Sequence, residues 1–293
     1  MKRILTLLTL LTLGLHLMAQ GRTEIHVHNL VEFINAIKSN RTIIVDNDID
    51  FGNGLERLHQ QQPRLLPELY TYDNEELLAT MKDQCFIEPN TDGYQLYIKG
   101  VHDLTIKGVP DRLTLLRIVP RYCYVLSFLD CQNIRVEGLT MGHTEEGYCD
   151  GGVLNFEQCQ GVEVDHCDLY GCGKEGICCV GSGQVKMTHS YIRNCSYDIL
   201  TLVSSHDISF EDCFFFDNRQ FELLEIRGCE AVSFERCHIT NNQGTLFSVS
   251  DSEVVMRDCI INHPDVYDSC YMSGVRFDHC LMGDNHGVSQ RED

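Results

Sequence analysis

Three carboxylate side chains recur at one position of a repeating sequence pattern. Glu175, Asp198 and Glu222 are spaced 23 and 24 residues apart, and each lies ten residues before a repeat unit begins. If successive units stack, these carboxylates lie close together on neighbouring turns of the chain. Close carboxylates disfavour joint ionisation, so one keeps a proton or the group binds a cation. The sequence therefore predicts a catalytic site at this acidic column.

Two kinds of chemistry are open to such a column. A protonated carboxyl beside an ionised one cleaves glycosides, whereas clustered carboxylate oxygens suit Ca²⁺, for which we consider Asp150, Glu175 and Asp198. We assign substrate binding to five residues near the column: Lys174, Tyr197, Arg219, Arg227 and His143. The alternative interpretation is that these acids are ordinary solvent-facing corner residues of an acidic chain.

The repeat unit consists of an apolar, a polar and an apolar residue, two polar residues, and then a small residue that is often cysteine. Eight units begin at Leu104, Ile134, Val162, Val185, Ile208, Val232, Val254 and Val275. A spacing of 21 to 30 residues with alternation inside each unit is typical of a solenoid. The function must therefore be placed on the turns of a repeat protein.

Apolar positions before and after each unit indicate two further short strands in every turn. Leu200 and Leu202 precede the unit at Ile208, and Phe215 follows it. Three short strands per turn, each with one inward face, predict a parallel β-helix of about eight regular coils. Its hand should be right-handed because parallel crossover connections almost always are.

The N-terminal region differs from the repeats. Asn29 is a good helix N-cap before an apolar face that includes Phe33 and Ile34, so a helix should cover the open first coil. A second helix is predicted at Glu75–Lys82. We divide the chain into a signal peptide (1–20), a strand-helix-strand cap (21–52), an insertion (53–92), the β-helix (93–285) and a polar tail (286–293).

Residues 1–20 have the features of a secretory signal. Lys2 and Arg3 precede an apolar run that ends at Ala19, too short and wrongly flanked to anchor the chain in a membrane. The sequence predicts export to the periplasm or the extracellular space of a bacterium. The formal charge of -20 argues against nucleic acid and anionic membranes as partners, and we expect no membrane insertion.

Sixteen cysteines in an exported chain would ordinarily indicate disulfides. Many of them occupy repeat positions, where a small, apolar residue suits a packed core. We expect eight packing cysteines: Cys131, Cys159, Cys167, Cys213, Cys229, Cys237, Cys259 and Cys280. Four cysteines outside these columns are better disulfide candidates: Cys149, Cys172, Cys195 and Cys270.

Two further columns are readable from the repeat. Paired polar residues such as Asp217-Asn218 and Asn241-Asn242 follow the third strand, where stacked Asn side chains should bond backbone groups. An outward column of the third strand becomes apolar along the chain: Asp168, Tyr191, Phe214, His238, Ile260 and Leu281. This column either binds a ligand or partner or is covered by the 53–92 insertion.

The repeats, the N-terminal strand-helix-strand and the segment from Leu96 to Gly108 resemble the pectate-lyase-like right-handed parallel β-helix superfamily. The resemblance covers roughly the whole mature chain, but no motif set of one enzyme family is matched. It implies the fold and a polysaccharide or other glycan as partner. It leaves the activity open because that superfamily includes lyases, hydrolases, esterases, epimerases and non-catalytic proteins.

Three functions are therefore considered. The first is an exported enzyme, either a polysaccharide lyase or a glycoside hydrolase, acting at the acidic column. The second is a non-catalytic glycan-binding or surface protein that uses the apolar column. The third is a structural β-helix that forms a homo-oligomer through its side or its thinly covered C-terminal end.

Overall fold

The computed structural model describes residues 22–61, 75–110, 112–144, 151–171, 173–269, 273–283 and 288–290. In this part of the chain the backbone winds into a right-handed parallel β-helix whose turns contribute one strand to each of three sheets. The fold class predicted from the repeat is confirmed. No helix of the described residues is long and apolar enough to cross a membrane. The predicted signal peptide lies outside the described residues.

The three sheets are named after the order of the strands within a repeat. The first-strand sheet contains Gln84–Asn90, Gly93–Lys99, Leu126–Leu129, Leu154–Glu157, Ile177–Val180, Leu200–Val203, Glu222–Arg227 and Thr245–Ser250. The second-strand sheet contains Thr23–Val27, Arg41–Val45, His102–Gly108, Gln132–Glu137, Gln160–Asp165, Gly183–Thr188, His206–Glu211, Glu230–Glu235, Val254–Arg257 and Val275–Asp278. The third-strand sheet contains Ile49–Asp50, Thr114–Ile118, Leu139–His143, Asp168–Tyr170, Tyr191–Arg193, Phe214–Phe216, His238–Thr240, Ile260–Asn262, Leu281–Gly283 and Val288–Gln290.

The register of the strands follows the apolar columns read from the sequence. In the first-strand sheet Ile177 pairs with Leu200, and Leu200 pairs with Leu224. These side chains are fully buried, because alternate residues of a strand face the interior and stack on their equivalents in the next coil. The same register carries outward residues into columns, which is how residues far apart in sequence come together at a site.

The helix that covers the first coil spans Leu30–Ala36, and its N-cap is Asn29, whose side chain accepts a hydrogen bond from the Glu32 N–H. Phe33 and Ile34 are buried on its inner face. The predicted capping helix is therefore confirmed. The other described helices span Gly52–Gln61, Glu75–Thr80 and Val266–Ser269.

Two antiparallel pairings were not expected from the sequence. Gln84–Asn90 pairs antiparallel with Gly93–Lys99 at the N-terminal end of the first-strand sheet. Val288–Gln290 pairs antiparallel with Leu281–Gly283 at the C-terminal end of the third-strand sheet. Both strands occupy the end of a sheet, where exposed N–H and C=O groups would otherwise be available to another chain.

The column cysteines pack in the core and also donate hydrogen bonds. Cys237 is buried with a free thiol, and its Sγ lies 3.3 Å from the Phe210 carbonyl oxygen and 3.5 Å from that of Glu235. Ser190 takes the equivalent position two coils earlier and bonds the Thr188 carbonyl at 2.6 Å. Small donors at this position thus bond the carbonyl groups at the bend, and all eight column cysteines are buried and free as predicted.

One of the four proposed disulfide cysteines is described, and that prediction is wrong. Cys195 is buried with a free thiol; it packs in the core, and its backbone N–H donates to Asn218 Oδ1 at 2.9 Å. Cys149, Cys172 and Cys270 lie outside the described residues.

The stacked Asn residues bond the turns as predicted. Asn218 Nδ2 donates to the Ile192 carbonyl at 3.2 Å, and Asn242 Nδ2 donates to that of Phe215 at 2.8 Å. The Asn218 N–H in turn donates to Asn242 Oδ1 at 3.0 Å. These side chains satisfy buried backbone groups between coils and are structural.

Candidate functional site

The acidic column lies where the chain enters the first-strand sheet. Lys174 and Glu175 precede the strand Ile177–Val180, and Asp198 precedes Leu200–Val203. The Asp198 N–H donates to the Lys174 carbonyl at 2.8 Å, which fixes one coil on the next. The pairing of Ile177 with Leu200 therefore places Glu175 and Asp198 in register, as the repeat predicts.

Glu175 is the buried centre of the site. Its side chain has no solvent exposure, and its two oxygens are each held by a hydroxyl. The Tyr124 hydroxyl donates to Oε1, and the Thr201 hydroxyl donates to Oε2 at 2.8 Å. Lys174 Nζ lies 3.8 Å from Oε2. Burial raises the pKa of Glu175, and the Tyr124 hydroxyl and the Lys174 ammonium oppose that rise.

Gly152 makes room for this arrangement. A Cβ atom at this position would lie 2.6 Å from Tyr124 Cε1 and 2.9 Å from Glu175 Oε1. Any side chain here would therefore push apart the phenol and the carboxylate that it bonds. The close approach of Tyr124 and Glu175 to this backbone position therefore requires a glycine.

Asp198 shares the Thr201 hydroxyl with Glu175. Its Oδ2 lies 3.4 Å from Thr201 Oγ1, and the residue is only 5% exposed. Burial, followed by the negative charge of Glu175, raises the pKa of Asp198 to about 7, although Lys174 lowers it. Two buried carboxyls around one hydroxyl cannot both ionise easily, so they hold a proton between them near neutral pH.

Lys174, a predicted substrate residue, lies beside the acid pair. Its side chain is 37% exposed, so it reaches from the buried pair to the surface. Burial lowers the pKa of Lys174, but the charges of Glu175 and Asp198 outweigh this effect and raise it. Lys174 is therefore a permanent cation beside the two carboxyls.

Glu222 is in register with Asp198 but is not part of the buried pair. It is exposed at the first position of the strand Glu222–Arg227, whereas Glu175 and Asp198 are buried. A different acid of the same strand lies near the pair. Glu225 pairs in register with Thr201, and its charge raises the pKa of both Glu175 and Asp198. Glu225 forms an ion pair with Arg227, with Oε1 and Nη1 3.1 Å apart.

The other predicted substrate residues have different environments. Tyr197 packs on Phe221, with ring centroids 5.1 Å apart, directly beside Asp198. The Arg219 N–H donates to the Cys195 carbonyl at 3.0 Å, in the turn before Phe221. His143, assigned to substrate binding from the sequence, is 5% exposed, and its Nε2 lies 2.9 Å from the Cys123 carbonyl oxygen.

The described residues do not form a Ca²⁺ site at the column. Calcium takes six to eight oxygen ligands, but both oxygens of Glu175 are engaged by hydroxyls and the Lys174 ammonium already supplies a positive charge. The donor set instead fits a pair that holds a proton. Asp150, the third predicted ligand, lies outside the described residues.

Four members of the site were missed by the sequence analysis: Tyr124, Thr201, Phe221 and Glu225. Thr201 belongs to an outward column that runs from Ser127 through Asn155 and Cys178, and its three polar members are at most 4% exposed. Small, uncharged residues at successive outward positions of the first strand were the available signal. Phe221 gave no signal: it is 58% exposed and has a left-handed backbone with φ of 52°.

Comparison with known proteins agrees with the fold. A family model described as a right-handed β-helix region matches residues 130–288, so the chain belongs to the right-handed β-helix family. A search of curated proteins found no significant match.

Several solved structures have the same fold at low sequence identity. A pectate lyase from Bacillus sp. N165 in complex with trigalacturonate is 12% identical, with a TM-score of 0.58 over 92% of this chain and 84% of that one. Pectate lyase C from Erwinia chrysanthemi, with Ca²⁺, is 12% identical with a TM-score of 0.58, over 89% and 76% of the two chains. A pectate lyase from Paenibacillus sp. 0602 is 10% identical with a TM-score of 0.55, over 93% and 80%.

Proposed function

We propose that this protein is an exported β-helix enzyme that binds and cleaves a polysaccharide, with Asp198 as the proton donor to the glycosidic oxygen. The observation that carries the proposal is the position of Asp198, buried beside the sealed Glu175 carboxyl with the Thr201 hydroxyl between them, where burial and the Glu175 charge raise the pKa of Asp198 to about 7. A carboxyl that stays protonated near neutral pH is what a leaving sugar oxygen needs from a general acid.

Glu175 is a positioning residue in this proposal. Its side chain is fully buried, so it acts on substrate only through Asp198, whose pKa it raises, and through the Thr201 hydroxyl that lies between them. Glu225, which pairs with Arg227 and whose side chain is 18% exposed, is the second carboxyl group that hydrolysis requires. Hydrolysis is favoured over Ca²⁺-dependent elimination because the described donor set does not suit Ca²⁺.

The sugar chain would lie over the aromatic pair next to Asp198. Phe221 is 58% exposed and packs on Tyr197, and rings of this kind form the apolar walls of ligand sites. Phe221 has the left-handed backbone that recurs at the corners of the coils, and this conformation directs its ring toward solvent beside Tyr197. Lys174 and Arg227 provide polar contacts for sugar hydroxyls or carboxylates.

A second candidate function is glycan binding without cleavage on the outer face of the third-strand sheet. Tyr191 and Phe214 are 43% and 37% exposed and stack with ring centroids 5.4 Å apart, and Phe214 stacks on His238 at 4.5 Å. The described insertion strand Gln84–Asn90 pairs in the first-strand sheet instead, so cover by this strand does not explain the column.

The test is incubation with a panel of neutral and acidic polysaccharides, reading both new reducing ends and the absorbance of unsaturated products. We expect new reducing ends without unsaturated products. The variant Asp198→Asn should lose about a hundredfold or more of the rate, the usual contribution of a general acid. The matched control is Glu222→Gln, which removes an exposed carboxylate from the same register position on the next coil.

Two outcomes contradict the proposal. Unsaturated products would assign the protein to the lyases. Equal rates in Asp198→Asn and Glu222→Gln would remove Asp198 from the reaction. Binding without turnover, weakened by Phe214→Ala but not by Asp198→Asn, would support the second candidate function.

A further inference from the structure

A second cluster of ionisable side chains lies at another corner of the β-helix, after the second strand. Asp165 ends the strand Gln160–Asp165, His166 follows it, and His189 occupies the same corner position one coil later. Both histidines have left-handed backbone, with φ of 52° and 48°. Because the corner conformation repeats, the two imidazoles stack with ring centroids 4.7 Å apart.

Both imidazoles face the same carboxylate oxygen. Asp165 Oδ1 lies 3.0 Å from His166 Nδ1 and 3.1 Å from His189 Nδ1. The three ligand atoms all lie within 4.8 Å of one another. A tetrahedral ion with bonds of about 2.0–2.1 Å holds its ligands about 3.3 Å apart, so the carboxylate oxygen already lies at nearly the required separation from each Nδ1.

We propose that Asp165, His166 and His189 bind a divalent transition metal ion of the Zn²⁺ type. Two imidazoles and one carboxylate are a common ligand set for such ions, whereas nitrogen ligands disfavour Ca²⁺ and Mg²⁺. The histidine side chains are 64% and 53% exposed, which gives the ion an entry path and leaves a fourth position for water. When both rings are neutral, each moves its Nδ1 proton to Nε2 and coordination releases no proton.

The surrounding charges favour a cation. Arg135 Nη2 lies 3.1 Å from Asp165 Oδ2, which orients the carboxylate and leaves Oδ1 facing the histidines. Arg135 also pairs with Glu137 and Glu163, so the arginine is shared among three acids and negative charge is in excess. The hydrogen bond from Thr188 Oγ1 to Oδ1, 2.6 Å long, fixes the carboxylate further.

Coordination would join two neighbouring coils, because His166 and His189 belong to successive repeats. The ion would therefore stabilise the folded chain, by an amount that grows with its concentration over the dissociation constant. This corner follows the second strand, whereas the acid pair precedes the first strand, so the metal site and the proposed polysaccharide site are separate.

The test is calorimetric titration of chelator-treated protein with ZnCl₂, with CaCl₂ in parallel, and thermal unfolding with and without Zn²⁺. We expect one Zn²⁺ per chain, a higher unfolding temperature and no response to Ca²⁺. His166→Gln and His189→Gln should each weaken Zn²⁺ binding by about tenfold or more. The matched control His279→Gln changes a histidine with the same left-handed corner backbone, φ 54°, outside the cluster.

Two results would overturn the site. Absence of Zn²⁺ binding by the native chain at millimolar concentration rejects it. Binding that is equal in His166→Gln, His189→Gln and His279→Gln rejects it as well, because the ion would then be held elsewhere. Circular dichroism of each variant without metal separates loss of the site from loss of the fold.

Discussion

Two aspartates of this chain, placed by the same repeat, have opposite ionisation behaviour. The pKa of Asp198 is raised to about 7 by burial and by the Glu175 charge. Burial also acts to raise the pKa of Asp165, but hydrogen bonds from Thr188, His189 and His166 outweigh it and lower the pKa to about 2. Each carboxyl group lies beside a threonine hydroxyl, 2.6 Å away for Asp165 and 3.4 Å away for Asp198, so this contact accounts for only part of the difference.

The rest of the difference comes from the other neighbours of each carboxyl group. Asp198 stacks on a second carboxyl that is sealed from water, and proton sharing is the least costly arrangement there. Asp165 lies beside the two imidazoles of His166 and His189 and faces Arg135, so the ionised form is preferred. A β-helix thus brings one residue of each coil to the same place, and the residue types in that column decide whether the place suits proton transfer or a cation.

The largest expected effect is a loss of catalytic rate when the Glu175 carboxylate next to Asp198 is replaced. Glu175→Gln should lower the pKa of Asp198, by about one unit, because burial, the larger cause of the rise, remains. Turnover at pH 7 should then fall by about fivefold, since more of the general acid is ionised, and the alkaline limit of the rate profile should move down by about one pH unit. The rate profile on the polysaccharide found in the panel measures this shift.

Asp165→Asn is the control variant for this prediction. It alters an aspartate in another column and should leave the rate profile unchanged. A profile that is the same in Glu175→Gln and the native chain would mean that Glu175 does not set the ionisation of Asp198.

The next effect concerns stability at the acid pair. A carboxyl whose pKa is raised on folding stabilises the fold fully below its unfolded pKa of about 4, and that contribution is lost as the pH rises through about 7. Between these pH values the free energy of unfolding should therefore fall by about 2 kcal/mol less in Asp198→Asn than in the native chain, after allowance for partial solvent access. Urea unfolding at pH 4 and pH 8 measures it; equal pH dependence in both proteins would contradict it.

At Asp165 the sign is reversed. Its depressed pKa contributes stability above the unfolded value of about 4, and that contribution is lost as the pH falls through about 2. Asp165→Asn should cost about 1 kcal/mol at pH 7 after allowance for solvent screening, and less as the pH is lowered. Unfolding curves from pH 7 to pH 2 test this, and a cost that grows toward low pH would refute it.

The smallest expected effects come from the two threonines. Thr201→Val removes a hydrogen bond that lowers the pKa of Glu175 and of Asp198, and Thr188→Val removes one that lowers the pKa of Asp165. Both substitutions should raise the neighbouring pKa by about one unit or less. Carboxyl carbon NMR titration of each variant measures the shift, and a downward movement in either would show that the hydroxyl favours the neutral acid.

The sequence was sufficient to predict the fold because the period of the repeat shows which residues stack on one another in neighbouring coils. The register read from apolar residues such as Leu200 and Leu224 holds in the structure, and it placed Glu175 and Asp198 side by side. Burial could not be read in the same way, because Glu222 occupies the same column and is exposed. Glu175 differs from Glu222 in a contact with a residue that is distant in sequence. Tyr124, which bonds Glu175, lies 51 residues before it, and no local sequence pattern predicts such a contact.

The proposed metal site could also have been predicted from the spacing of its residues. His166 and His189 are 23 residues apart, the same spacing that relates Glu175 to Asp198. The two histidines lack the short local spacing of a zinc motif, because they belong to different coils. In a solenoid the ligand spacing that matters is the length of a coil.

The most direct test of this account is a carboxyl carbon NMR titration of the protein labelled at its aspartate side chains, with Asp198→Asn and Asp165→Asn to assign the two resonances. The account predicts that the Asp198 resonance titrates with a midpoint near pH 7 and that the Asp165 resonance stays ionised down to about pH 2. Midpoints near 4 for both carboxyls, the ordinary value, would contradict it.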